Sequence, residues 1–164
     1  MLTNGGIIEG AARVSIVPTI LSTGMSTLEQ IETAVDQWNV AHLGRSDRLA
    51  LLHCTSTYPC SPEELNLNMI RTLRERFALP IGYSNHSPGI IASVTAVALG
   101  AEIIEAHITL DRTMWGTDHS ASIEPGGFKR MVDYIRTTEK SLGDGIKQVY
   151  DSELSARRKL RGTV

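Results

Sequence analysis

The chain has 164 residues, 41% of them hydrophobic and 21% charged, which is enough for one domain with a real core. Its 16 basic and 18 acidic residues give a net charge of −2, which excludes bulk attraction to nucleic acid or to an anionic membrane. No apolar run reaches membrane-spanning length and no signal peptide is predicted. Cys54 and Cys60 lack CxxC spacing, so we expect no disulfide framework, no zinc site and a reduced, cytoplasmic setting.

Apolar runs alternate with helical patterns along the chain and predict four successive βα units. The predicted strands cover residues 18–24, 49–55, 80–84 and 102–109. Capping boxes predict where the first two helices begin, one formed by Ser26 with Glu29 and one by Ser61 with Glu64. The third helix, over about 89–99, is apolar nearly all round and should be well buried, with Gly100 just past its end.

The last part of the chain contains a polar stretch and one more helix. Residues 111–125 are polar, and an amphipathic helix runs from about Phe128 to Leu142. Four basic residues between Arg157 and Arg161 are explained by a solvated helix face at least as well as by a binding patch. Of the remaining histidines, His42 is expected at the surface, whereas His53 is expected in the core.

Consecutive βα units indicate a parallel sheet, which occurs either in a barrel or in a doubly wound fold. A doubly wound nucleotide-binding fold requires a glycine-rich first turn, and the segment 22–25 contains one glycine. We therefore predict an α/β fold of the parallel-strand (β/α) TIM-barrel type. A complete barrel needs eight strands and about 250 residues, so the chain supplies a partial barrel of four to five βα units.

Polar residues follow the predicted strands at their carboxyl ends, where parallel α/β folds place their chemistry. The residues that end the strands or lie just beyond them are Ser22, Thr23, Thr55, Ser56, Tyr58, Ser84, Asn85, His86, Glu105 and His107. This placement predicts one functional site at the carboxyl edge of the sheet.

Glu105 and His107 are two residues apart on one predicted strand, so both side chains point to the same face. Neither the interior of a barrel nor its helix layer tolerates an unpaired carboxylate. The pair is therefore either an acid and a ligand facing a polar cavity, or a structural arrangement in which Glu105 pairs with an Arg or Lys and His107 is a core histidine.

His86 lies just beyond the third strand, beside the strand that carries His107. Two imidazoles with oxygen co-ligands suit Mn²⁺, Fe²⁺ or Zn²⁺, and a labile Mn²⁺-like site is favoured over a closed structural zinc. Asp118 and His119 lie in a glycine-flanked loop, the type of segment that often carries function. An Asx-turn made by Asp118 is the structural alternative.

Five ordered motifs resemble the sialic acid synthase (N-acetylneuraminate synthase) family from about residue 18 to about residue 160. They are Leu21-Ser-Thr-Gly-Met25, His53-Cys-Thr-Ser-Thr-Tyr-Pro59, Ile81-Gly-Tyr-Ser-Asn-His86, Glu105-Ala-His-Ile-Thr-Leu-Asp111 and Gly116-Thr-Asp-His-Ser-Ala-Ser122. The resemblance implies that residues 1–147 form part of a TIM-barrel synthase domain. It also implies that residues 148–164 form a linker toward an antifreeze-like domain, and that the family's phosphate-binding basic residues come from strands upstream.

The resemblance further implies condensation of phosphoenolpyruvate with an N-acetylated hexosamine, N-acetylmannosamine or a related sugar, to a nonulosonic acid with release of phosphate.

 A dimer of the chain is expected because a partial barrel leaves two sheet edges open. By resemblance, His86 and His107 hold a divalent metal, typically Mn²⁺ with Mg²⁺ or Co²⁺ as alternatives, and Glu105 handles proton transfer or the attacking water. Tyr58 and Asp118 contact the sugar.

Ser56 and Ser84 contact the carboxylate or phosphate of phosphoenolpyruvate in the same scheme. One departure is Asn85, where the family usually has Asp, and this change removes a charge near the predicted metal. Two alternatives remain open: a truncated, non-catalytic remnant of such an enzyme, and a different metal-dependent, aldolase-like barrel that shares only the histidines at the strand ends.

Overall fold

Four parallel strands, arranged in the order in which they occur along the chain, form the predicted sheet. They are β1 (Thr19–Ser22), β2 (Leu49–Cys54), β3 (Ile81–Asn85) and β4 (Ile103–Ala106). The structure is a computed structural model that describes residues 2–42 and 48–161, so residues 162–164 of the predicted linker lie outside the described residues. The sheet curls into a half-barrel, which confirms the predicted fold class.

Helices connect and flank the strands. They are α1 (Gly5–Val14), α2 (Leu28–Ala41), α3 (Met69–Arg76), α4 (Ile91–Ala98), α5 (Pro125–Leu142) and α6 (Leu154–Arg161). Two 3₁₀ turns lie at Pro62–Glu64 and Asp151–Glu153. The helix α1 was not predicted from the sequence; the Asn4 side chain caps it, and Ile8 and Ala12 are buried where it packs on α2. None of the helices in the described part of the chain could cross a membrane.

The core lies between the sheet and the helices α2 and α3. Alternate residues of the central strands β2 and β3 point to this side, because side chains along a strand alternate between its two faces. The sheet contributes Leu49, Leu51, Ile81 and Tyr83, and the helices contribute Ile31, Ala34, Val35, Trp38, Ile70 and Leu73. The apolar runs that predicted these strands therefore form the centre of the core.

The first predicted capping box is displaced by one residue. Thr27, and not Ser26, caps α2: its hydroxyl accepts from the Gln30 amide at 3.4 Å, and the Gln30 side chain accepts from the Thr27 amide at 2.9 Å. The Ser26 hydroxyl instead donates to the Gly24 carbonyl in the preceding turn. The hydroxyl of Ser26 is therefore used in the turn, and the next hydroxyl residue, Thr27, caps the helix.

The second predicted helix is interrupted. Ser61 makes no capping hydrogen bond, and a 3₁₀ turn ends before Asn66, which adopts a positive φ of 42°. The α-helix begins only at Met69, so the prediction that the second helix begins at the Ser61 capping box is wrong. The residues that matter for the core, Ile70 and Leu73, are nevertheless fully buried.

Two predictions for the second half of the sheet are also corrected. The strand β4 ends at Ala106, and beyond it only Ile108 forms a bridge, with Ile123, so the predicted strand over 102–109 is too long. The helix α4 buries only the side that faces the core, since Ile91 on its other side is 80% exposed. Gly100 has a φ of +100° just past α4, which confirms its predicted place.

His42 is buried, which contradicts its predicted place at the surface. Its ring stacks on Trp38 with a centroid distance of 5.4 Å and an interplanar angle of 10°. The contact arises because Trp38 and His42 are four residues apart at the end of α2, and such residues lie on the same face of a helix. His53 lies in the core as predicted, with its Nε2 at 2.8 Å from the Leu65 carbonyl oxygen.

Candidate active site

The candidate site lies at the carboxyl ends of β3 and β4. The register pairs Ser84 with Glu105, so His86 and His107 lie side by side two residues further along, just past the ends of the two strands. A step of two residues along a strand is about 7 Å and returns to the same face. The Ser84 hydroxyl donates a hydrogen bond to Glu105 Oε2, and no Arg or Lys in the described part of the chain pairs with this carboxylate. The ion pair considered as an alternative is therefore absent there.

Three aromatic rings meet just past the strand ends, at the level of His86 and His107. The rings of His86 and His107 are 5.3 Å apart, centroid to centroid, with an interplanar angle of 77°. Tyr58 stacks on His107 at 4.5 Å and 25°, and meets His86 edge-on at 5.5 Å and 83°. His107 lies one residue past the end of β4 and is half-buried, so it is not the core histidine of the structural alternative.

His86 is held by the segment that follows β2. Its Nδ1 lies 2.8 Å from the Thr55 carbonyl oxygen, and its own carbonyl accepts from the Cys60 amide at 2.8 Å. Because a carbonyl only accepts, Nδ1 carries the hydrogen and donates, which leaves the lone pair of a neutral imidazole on Nε2. The Cys54 sulfur lies 3.8 Å from Nδ1. Both cysteines are free, and burial raises the pKa of the Cys60 thiol.

Asp118 reaches the same cluster from the loop after β4. Its Oδ2 lies 3.6 Å from His107 Nδ1, slightly longer than a hydrogen bond, and its Oδ1 accepts from the Thr117 hydroxyl at 2.8 Å. The Asx-turn in this loop is made by Asp111, whose carboxylate accepts from the Thr113 amide and hydroxyl at 2.7 Å. These bonds lower the pKa of Asp111. Among the described residues no backbone amide donates to the Asp118 carboxylate, so the Asx-turn considered as an alternative is not formed by Asp118.

Ser56 lies apart from the histidines, in a neighbouring cavity of about 820 Å³ between the ends of β1 and β2. Thr23, Thr55 and Ser56 are among the hydroxyl residues that line it. Gly24 lies so close that a Cβ there would collide with the Ser56 hydroxyl and come within 3.2 Å of Cys54 Sγ. The structure thus groups Tyr58, His86, His107 and Asp118, pairs Ser84 with Glu105, and places Ser56 in an adjacent recess.

The donor set limits what kind of metal ion could bind. Within residues 2–42 and 48–161, no group of three or more His, Cys, Asp or Glu side chains is arranged to hold a metal. A closed structural site is therefore not formed by these residues. The two imidazoles do fit an open site, because Nδ1 of His86 is occupied by a backbone carbonyl and Nε2 is left free for coordination. The remaining ligands would be oxygen atoms from water or substrate.

Asn85 has a structural role that the sequence did not indicate. Its Oδ1 accepts from the Tyr83 hydroxyl at 3.2 Å and from the Ser87 amide and hydroxyl at 3.0 and 2.8 Å. Its Nδ2 donates to the Gly89 carbonyl at 3.2 Å. Burial raises the pKa of Tyr83 to about 12, so the phenol remains a donor. The amide thus braces the turn behind His86, and an Asp could not make the bond to Gly89 without a proton.

A sequence model of the NeuB family matches residues 1–147. The chain belongs to the NeuB family. It is 43% identical over 165 residues to the N,N'-diacetyllegionaminic acid synthase of Legionella pneumophila, covering 99% of this chain and 46% of that protein. It is 42% identical over 151 residues to the human N-acetylneuraminate-9-phosphate synthase, covering 90% and 40% respectively.

The fold of this NeuB-family chain is also similar to that of a solved structure. The crystal structure of the N-acetylneuraminic acid synthetase of Leptospira borgpetersenii superimposes with a TM-score of 0.83 at 38% identity, covering 99% of this chain and 56% of that chain. The chain spans about half the length of the curated relatives it matches.

Several contacts of the site could not be found from residue types. The Thr55 carbonyl and the Cys60 amide act through the backbone, which carries no sequence signature. Ser122 joins the site through its hydroxyl, which donates to the Asp118 carbonyl at 2.8 Å and lies 3.1 Å from the Tyr58 hydroxyl. Its place in the last of the five motifs was the available indication of this role.

Proposed function

We propose that the chain contributes part of the active site of a nonulosonic acid synthase, namely the part formed at the carboxyl ends of its four strands. The reaction would condense phosphoenolpyruvate with an N-acetylated hexosamine, N-acetylmannosamine or a related acetamido sugar, and release phosphate. The observation that carries this proposal is the register of β3 and β4, which brings Ser84 to Glu105 and His86 beside His107 in a chain of the NeuB family.

The proposed reaction forms one carbon–carbon bond, and at C2 it replaces the carbon–oxygen bond to phosphate by one to the oxygen of water. C3 of phosphoenolpyruvate attacks the aldehyde carbon of the open-chain sugar, and the aldehyde oxygen takes up a proton. Water then adds at C2, phosphate leaves, and the product is a 2-keto acid. Glu105 is the group suited to proton transfer or to activation of this water, because a carboxylate held by one hydroxyl keeps acceptor sites free.

His86 and His107 would hold a divalent cation, Mn²⁺ in the first place and Mg²⁺ or Co²⁺ as alternatives. When bound, such a cation supplies Lewis-acid polarisation of the sugar aldehyde. The protein's own part is to keep the two imidazoles apart at 5.3 Å and to fix the tautomer of His86 through the Thr55 carbonyl.

Substrate contacts follow from the position of each residue. Ser84 lies beside Glu105, and Ser56 lines the adjacent recess, so both suit the carboxylate or phosphate of phosphoenolpyruvate. Asp118 lies on the outer side of His107 and suits the hydroxyl groups of the sugar, as does Tyr58. The 820 Å³ recess has the size of a small-molecule site.

Phosphate release from phosphoenolpyruvate, measured with N-acetylmannosamine and Mn²⁺, tests the proposal. We expect turnover that Glu105→Gln reduces by about 10²–10⁴-fold, the usual contribution of a general acid or base. Glu102→Gln is the matched control, since this exposed carboxylate lies just before β4 and should be replaceable without loss.

Three outcomes would count against the proposal. Equal turnover by the wild type and Glu105→Gln would remove Glu105 from the chemistry. A wild-type chain that binds Mn²⁺ yet releases no phosphate would favour the alternative of a non-catalytic remnant. Activity that needs no phosphoenolpyruvate would instead favour an aldolase-like barrel.

We also propose that the chain associates as a homodimer in the cytoplasm. In the described residues β1 pairs only with β2 and β4 only with β3, so two strand edges keep unpaired backbone groups. Light scattering at micromolar concentration tests this, and a monomer at all concentrations would contradict it.

A further inference from the structure

The Tyr58 ring contacts both imidazoles of the candidate site. It stacks on His107 at 4.5 Å and meets His86 edge-on at 5.5 Å, whereas the two histidines come from different strand ends. Stacked and edge-on contacts restrict the rotation of the rings that they join. The ring of Tyr58 therefore limits the directions in which the free nitrogens of both histidines can point.

The Tyr58 hydroxyl is engaged on the opposite side, with the loop that follows β4. It lies 3.1 Å from Ser122 Oγ and 3.2 Å from the Asp118 carbonyl oxygen, and Ser122 Oγ in turn donates to the same carbonyl at 2.8 Å. Since the Ser122 hydrogen goes to the carbonyl, the Tyr58 hydroxyl is the donor toward Ser122 or Asp118. The single hydrogen of the phenol is thus used within the protein.

We infer that Tyr58 is a positioning residue, whose ring orients His86 and His107 and whose hydroxyl fixes the loop that carries Asp118. This inference rests on the proposed function, in which the histidines hold a cation and Asp118 meets the sugar. It adds a second role, which the sequence did not predict, to the proposed contact of Tyr58 with the sugar, for which the phenol oxygen can still accept a hydrogen bond. One side chain then links the metal ligands to the loop on the sugar side.

Two substitutions separate the two parts of this role. Tyr58→Phe keeps the ring and removes the hydroxyl, whereas Tyr58→Leu removes both. Ser122→Ala interrupts the hydroxyl chain without touching the ring, so it should reproduce the effect of Tyr58→Phe on the loop. Tyr134→Phe, on the exposed face of α5, is the control for loss of a hydroxyl elsewhere.

Metal affinity measures the role of the ring. Mn²⁺ binding by calorimetry should be within about 3-fold of wild type in Tyr58→Phe and about 10–100-fold weaker in Tyr58→Leu, the usual effect of losing a residue that orients a ligand. Imidazole resonances of the metal-free protein give a second measurement. We expect one set of signals for His107 in Tyr58→Phe, and shifted, broadened or doubled signals in Tyr58→Leu.

Hydrogen exchange measures the role of the hydroxyl. Amides of residues 111–122 should exchange about 3–10-fold faster in Tyr58→Phe and Ser122→Ala than in wild type or Tyr134→Phe, the range expected for one net hydrogen bond. Circular dichroism verifies that each variant is folded before these values are compared.

The outcomes distinguish this inference from the proposed function. If the wild type binds no Mn²⁺, the proposed metal fails, while the imidazole signals and hydrogen exchange still test Tyr58 in the metal-free protein. Unchanged His86 and His107 signals in folded Tyr58→Leu would overturn the role of the ring. Unchanged exchange of 111–122 in Tyr58→Phe would overturn the role of the hydroxyl.

Discussion

The central strands of the sheet and its edge strands differ in how completely this chain covers them. Every residue of β3 and all but the last of β2 are buried, whereas the residues of β1 and β4 are all partly buried or exposed. Leu51 in β2 is 0% exposed and Ile20 in β1 is 52% exposed. The strands β2 and β3 therefore lie in a fully packed core, whereas β1 and β4 carry apolar side chains that are only partly covered.

The candidate site lies across this boundary. Ser84 lies in the central strand β3 with His86 just beyond it, while Glu105 lies in the edge strand β4 with His107 just beyond it. Ser84 is buried but Glu105, its partner across the sheet, is exposed. One half of the site is thus buried and the other lies at an exposed edge, and enclosing that edge would strengthen the electrostatic contacts of Glu105.

The largest effect is expected from a cavity in the central strands. Leu51→Ala should lower the free energy of unfolding by about 2–5 kcal/mol, because the leucine is fully enclosed between the sheet and the helices. Ile20→Ala should cost less than about 1.5 kcal/mol, since half of that side chain already meets water. Urea denaturation measures both, and equal losses would remove the distinction between centre and edge.

A smaller effect is expected where the central and edge strands come closest. A Cβ on Gly82 of β3 would lie 2.5 Å from the Ile103 carbonyl oxygen and 2.7 Å from Ile103 Cβ in β4, and it would also meet Leu52. Gly82→Ala should therefore destabilise the protein by about 1–3 kcal/mol through overpacking.

The matched control for this substitution is Gly126→Ala in α5, where nothing lies within 4 Å of the new Cβ. It should leave stability unchanged or raise it by up to about 1 kcal/mol, since alanine favours a helix. A Gly82→Ala protein as stable as the control would mean that β4 moves freely against β3.

The smallest effect is expected for the pH dependence of the unfolding free energy, through a histidine in the central strand β2. Burial lowers the pKa of His53, so the folded state favours the neutral imidazole. A histidine with a lowered folded pKa contributes stability above its unfolded pKa of about 6.5, and this stability is lost as the pH falls toward the folded pKa. The unfolding free energy should therefore fall between pH 7 and pH 5.

His53→Gln isolates this contribution, because glutamine keeps an N–H donor for the Leu65 carbonyl and does not titrate. The loss of stability between pH 7 and pH 5, measured by urea denaturation, should be smaller in the variant than in the wild type. An equal loss in both proteins would assign the dependence to other groups.

Local patterns predicted the strands and the edge at which polar residues collect, since buried parallel strands are continuous apolar runs. They did not predict features that depend on tertiary contacts. His42 is buried because its ring stacks on Trp38. The second predicted helix starts late because the backbone at Asn66 adopts a positive φ. The partner of the Tyr58 hydroxyl lies 60 residues away at Asp118, a distance that no local pattern spans.

Strand order has a consequence for how the molecule is assembled. Because β1, β2, β3 and β4 follow one another both along the chain and across the sheet, each unit docks on the one made just before it. Contacts of short sequence separation favour fast folding, and synthesis from the N-terminus presents them in this same order. The loop that binds the Tyr58 hydroxyl emerges after all four strands. The Tyr58 hydroxyl therefore gains its partner only after all four strands have been synthesised, while α5, which packs on α4, is made later still.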